Sequence, residues 1–77
     1  MVNTKAIRKR MIDLDLSYKD LGEAIGKKAG TARQKVMNYR PLYLDEAEAW
    51  QKLLKADDSE FHFYFFSRVS RSVNNYD

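Results

Sequence analysis

No cysteine occurs anywhere in the chain, which excludes a disulfide framework and a thiolate metal site. A lone histidine, His62, leaves too few imidazoles for a histidine-based metal centre. No apolar run approaches the roughly 20 residues that span a bilayer. The opening stretch "MVNTKAIRKRMIDLDL" is basic but lacks the uninterrupted apolar core of a signal peptide, so a cytoplasmic protein is expected. Proline is nearly absent, with Pro41 alone, and the three glycines fall close together at Gly22, Gly26 and Gly30. There is no glycine-rich phosphate loop and no recognisable acid–base pair around His62, so neither enzyme chemistry nor a cofactor is expected.

One scarcity is local. From Ala24 to Leu44 there is no Asp or Glu, while Lys27, Lys28, Arg33, Lys35 and Arg40 all occur there. The opening segment is also basic, at Lys5, Arg8, Lys9 and Arg10, and so is the tail, at Arg68 and Arg71. Acid collects between Asp45 and Glu60. The net charge of +3 is therefore modest but segregated, giving a dipolar molecule with one face suited to a polyanion. Charge runs often do no more than face water, but here helix and turn signals coincide with the basic one.

At 77 residues with 44% hydrophobic content, the chain suits one small folded domain over residues 1–66 with a flexible or extended tail at 67–77. The pattern reads as all-α, a compact four- to five-helix domain. Ile7, Met11 and Leu14 give a first helix over 4–14, capped by Asn3 or Thr4. "SYKD" has capping-box form at Ser17 and Asp20, and Tyr18, Leu21 and Ile25 carry a short second helix that Gly26 ends. A third helix is expected over 29–37, since Pro41 disfavours helix at Arg40. At 100° per residue, Ala29, Ala32 and Val36 share one side; Gly30, Arg33, Gln34 and Met37 share another, flanked by Thr31 and Lys35. Leu44, Ala47, Trp50, Leu53 and Leu54 mark a fourth helix over 44–55, with Trp50 as a core anchor. Asp58 or Ser59 would cap a short fifth helix at 59–65, although Phe61, Phe63 and Phe65 also fit strand alternation. That aromatic run either closes the core, the preferred reading, or presents a patch for self-association or a partner. His62 reads as a rim residue of the cluster.

A short helix, a tight turn with glycine, and a second helix with one polar face form a helix-turn-helix, whose second helix enters the major groove. Gly22 and Ala32 are small where the two backbones would cross. Arg33 and Gln34 are the expected base readers, because guanidinium pairs bidentately with guanine and carboxamide with adenine. Lys28 would lie near the bases at the start of the helix. Gly30 either lets the helix sit closer to them or simply costs little at a first turn. Lys27, Thr31, Lys35, Asn38 and Arg40 are expected on phosphates. Arg8, Lys9 and Arg10 either touch flanking backbone or are merely solvated.

The order "LSYKDLGEAIGKKAGTARQKVMNYRPLYLDEA" resembles the Cro and repressor-type, lambda-repressor-like helix-turn-helix family of bacteriophages. Its landmarks are Leu16-Ser17, Leu21-Gly22, Ile25-Gly26, Thr31, and Pro41 followed by Leu44-Asp45-Glu46-Ala47. That last group is similar to small regulators of phages of Gram-positive bacteria. The resemblance covers about residues 5 to 55. It implies a transcriptional repressor or switch protein that binds operator DNA, usually as a symmetric homodimer, in the nucleoid of a bacterial host. Lys28, Ala29 and Gly30 depart from the family's Ser or Thr followed by long polar residues; Ala32 is small, and Tyr43 replaces the usual Ser or Thr cap. Base-reading roles therefore carry over to Arg33 and Gln34, with Lys28 a weaker third. The competing function is an antirepressor or co-regulator that binds another protein, its acidic stretch occupying a partner's basic face. RNA binding is a distant third, since it would need the aromatics exposed on a sheet.

Overall fold

Asn3 starts the first helix by accepting the Ala6 N–H on its side-chain oxygen at 3.1 Å. From there the computed structural model, which describes residues 1–66, is built of helices joined by short non-helical turns. The elements are α1 (Thr4–Asp13), α2 (Tyr18–Ala24), α3 (Ala29–Val36), α4 (Leu44–Leu53) and α5 (Asp58–Phe65), with no strand among the described residues. The all-α expectation and its helix count hold. The expected tail at 67–77 lies outside the described residues.

Trp50 is the centre of the core, fully buried, and its indole N–H donates to the Leu21 carbonyl at 2.9 Å. This one bond ties α4 to α2 and removes the cost of burying a polar N–H. Ile7, Met11, Leu21, Ala32, Val36, Ala47, Leu54, Tyr64 and Phe65 pack around it. The aromatic run is helical. Tyr64 and Phe65 close the core, Phe61 is half-buried, and Phe63 and Phe66 remain exposed.

Each of the first four helices ends the same way. A residue in the left-handed region follows the last turn: Asp15 (φ 56°), Gly26 (φ 70°), Asn38 (φ 64°) and Lys55 (φ 55°). The next amide reaches back to a carbonyl of the last turn: Leu16 to Met11, Lys27 to Gly22, Tyr39 to Gln34, Ala56 to Gln51. These are Schellman closures, and only one uses glycine.

Three expectations are corrected. Leu44 is exposed, because it opens α4 ahead of the turn that meets the core. Ala29 is exposed too, so α3 buries Ala32, Val36 and Lys35 instead. The cap of α5 is Asp57, which accepts the Glu60 N–H at 3.0 Å, not Asp58 or Ser59.

Candidate nucleic-acid interface

Ser17 and Asp20 build the entry to the site. The Asp20 N–H donates to the Ser17 hydroxyl at 3.2 Å, and the Ser17 N–H donates to the Asp20 carboxylate at 2.8 Å. The Ser17 N–H, and after it the Ser17 hydroxyl, hold the Asp20 carboxyl below its ordinary range. α2 then runs to a four-residue turn, Ile25 to Lys28, and α3 begins at Ala29. Gly22 is buried against that turn: a Cβ there would lie 2.6 Å from the Lys27 carbonyl oxygen. Absence of a side chain at Gly22 lets the turn fold back and fixes where α3 starts.

α3 separates its residues as the wheel requires. Ala32 and Val36 are fully buried, Arg33 is exposed and Gln34 half-exposed. Its N-cap, Lys28, has extended backbone and no side-chain hydrogen bond to the first-turn amides. Those amides therefore carry the helix's positive end toward solvent, beside the exposed Lys27 and Lys28. Gly30 is exposed, and nothing lies within 4 Å of where its Cβ would be. Thr31 is half-exposed and Arg40 exposed.

Two of the expected phosphate contacts are overturned. Lys35 is only 4% exposed; its ammonium donates to the Glu46 carboxylate at 2.9 Å and to the Pro41 carbonyl at 2.9 Å. It also lies 4.9 Å from the centre of the Tyr43 ring. Its charge is spent inside the protein, tying α3 to the start of α4. Asn38 is likewise turned inward. Its side-chain oxygen accepts the Val2 N–H at 2.9 Å, and its amide donates to the Val2 carbonyl at 3.0 Å and the Thr4 hydroxyl at 3.2 Å. Arg10 is also occupied, donating to the Leu54 carbonyl at 2.9 Å and so capping the end of α4.

The candidate face is left with Lys27, Lys28, Gly30, Thr31, Arg33, Gln34 and Arg40, each exposed or half-exposed. Tyr39, 70% exposed, adjoins Arg40 in the chain. Sequence reasoning passed it over because a Tyr after a helix end reads equally as a core or a rim residue. Acid borders this face on one side, where Asp45 and Glu46 share an open groove with Lys27 and Tyr43. Burial pushes the Glu46 carboxyl up, but the Tyr43 N–H and the Lys35 ammonium outweigh it and hold the group below its ordinary value. Glu46 is thus an anion already satisfied, whereas Asp45 is exposed.

Among the described residues no group of His, Asp and Glu is arranged to hold a metal ion, and no helix is long and apolar enough to cross a membrane. No protein-family model, curated protein or solved structure matches this chain.

Proposed function

We propose that this protein is a sequence-specific regulator of transcription that places α3 in the major groove of operator DNA, in the manner of the phage Cro and repressor proteins. The observation that carries the reading is the division of α3, with Arg33 exposed and Gln34 half-exposed directly after the fully buried Ala32 and in the turn before Val36. Long hydrogen-bonding side chains on the outward face of a braced helix are what base-edge reading requires. Arg33 reads guanine and Gln34 reads adenine. Lys27, Lys28, Thr31, Tyr39 and Arg40 contact phosphates and set the register. Two copies bind a two-fold symmetric site in the host cytoplasm.

Selection of bound duplexes from a random pool at physiological salt tests this. A short palindromic consensus is expected. Recovery of no consensus, with the Arg33→Ala/Gln34→Ala variant binding every duplex as the wild type does, would sink the reading.

A second reading is favoured by the exposed acids Asp45, Glu48, Asp57 and Asp58. They suit a surface that occupies the basic face of a repressor, as an antirepressor would. Tight binding to such a repressor, beside weak and sequence-indifferent DNA binding, decides for it.

A further inference from the structure

An open groove of about 390 Å³ runs between α1 and α5, on residues that include none of the α3 face. Its volume falls in the range of ordinary binding clefts, about 300–1,000 Å³. Ala6, Phe63 and Tyr64 give it apolar lining, and Lys5, Lys9 and Asp13 line it from successive turns of α1. Phe63 is 56% exposed, set edge-on to the buried Tyr64 with ring centres 5.2 Å apart. A large aromatic left half in water beside a concave apolar wall marks an interaction surface. Lys5 and Lys9 are exposed and stand one helical turn apart, so their Cβ atoms share a face about 5–6 Å apart. The ion pair of Lys35 with Glu46 is the sole one among the described residues, so Lys5 and Lys9 make no ion pair there, although Asp13 stands one turn beyond Lys9. Arg10 also lines the groove, but its guanidinium is committed to the end of α4.

From this combination we infer that the groove docks an acidic amphipathic helix of a partner protein. Asp or Glu residues one turn apart on that helix pair with Lys5 and Lys9, and a large apolar side chain between them seats on Phe63. The charge is complementary and the anchor is apolar, a form that helix-in-groove recognition takes. A nucleic-acid strand fits less well, because Ala6, Phe63 and Tyr64 offer carbon where phosphates need donors. The surface is separate from the DNA-reading face and does not depend on it, so a partner could be held while α3 is on DNA.

The test is selection of random short displayed peptides on the intact chain. Peptides that combine Asp or Glu with Phe, Trp or Leu are expected to be enriched. They should bind the Lys28→Glu/Arg33→Glu variant as tightly as the wild type, and bind Lys5→Glu/Lys9→Glu or Phe63→Ser at least about tenfold more weakly. Circular dichroism establishes that each variant is folded, and either groove variant alone decides the point if the other is not. The proposal is overturned by an absence of enrichment. It is overturned equally by acidic peptides that lose binding only to the Lys28→Glu/Arg33→Glu variant, since those mimic DNA at α3. A single-stranded oligonucleotide that outcompetes the peptides at Lys5 and Lys9, or self-association abolished by Lys5→Glu/Lys9→Glu, assigns the groove to a different occupant and also ends it.

Discussion

Arg33 and Lys35 stand next but one to each other on α3, yet one is exposed and the other buried against Glu46. Arg33→Ala should therefore leave stability within about 0.5 kcal/mol of the wild type. It should cost about 1–3 kcal/mol of discrimination at a single base pair, read by comparing operator variants in a binding titration. Lys35→Met does the reverse. It strands the Glu46 carboxylate near the surface and should cost about 2 kcal/mol of folding stability, with Lys35→Met/Glu46→Met recovering much of the loss. Urea unfolding of the three chains checks both halves. Glu46 also sets an acid dependence. Its folded pKa lies below the ordinary 4.5, so its contribution is complete above that value and disappears as pH falls through the folded one. Asp20 has the same sign, from the Ser17 N–H and then the Ser17 hydroxyl, and so does Asp57, from the Ser59 hydroxyl and then the Glu60 N–H. Stability should fall on acidification below pH 4.5, and Glu46→Gln should flatten that limb in unfolding curves recorded at several pH values.

At the level of the helices, the closures separate conformation from contact. Lys55 and Asn38 have nearly the same backbone, φ 55° and 64°. The Lys55 side chain is exposed, so Lys55→Gly relieves strain and should stabilise the fold by about 0.5–1 kcal/mol, after glycine's own entropy cost. Asn38→Gly relieves the same strain but removes the three hydrogen bonds to Val2 and Thr4, and should destabilise it. Thermal unfolding of the pair distinguishes the two effects. Glycines divide similarly. Gly22→Ala forces the Lys27 carbonyl away and should weaken both folding and DNA binding, whereas Gly30→Ala meets nothing within 4 Å. If Gly30 faces the bases, its replacement should lower DNA affinity without lowering the unfolding temperature.

The helices themselves were legible because Ile7 and Met11, Ser17 with Asp20, and the spacing of Ala47, Trp50 and Leu54 are local signals. Phe61, Tyr64 and Phe65 fitted a helix while Phe61, Phe63 and Phe65 fitted a strand, and only the rest of the core decided between them. Left-handed Asp15, Asn38 and Lys55 were not legible, since nothing in the chain distinguishes them from ordinary polar residues. The fate of Lys35 was hidden for a different reason. A helical wheel places it on the flank, and the acid that draws it inward is eleven residues away on another helix. Of the candidate face, the exposure of Arg33 and Lys28 followed from the wheel and the turn, while the inward turn of Asn38 depended on where the N-terminal residues come to rest.

Across the whole molecule, charge is distributed rather than large. Lys27, Lys28, Arg33 and Arg40 face outward near α3, and Asp57 and Asp58 face outward at the start of α5. Affinity for operator DNA should fall with salt at a log–log slope of about −0.9 per phosphate neutralised, and Lys27→Ala/Lys28→Ala should reduce that slope by about two. The loss should be uniform across sequences, which a salt titration on operator and random duplexes will show. A practical choice follows from the clasp that Asn38 places on Val2. The leading residues lie beside Tyr39 and Arg40, at the edge of the face proposed to meet the duplex. An affinity tag or fluorophore joined ahead of Met1 would crowd that edge and tug on the exit of α3, and Phe66 lines the same groove, so duplex binding is best measured on the untagged chain.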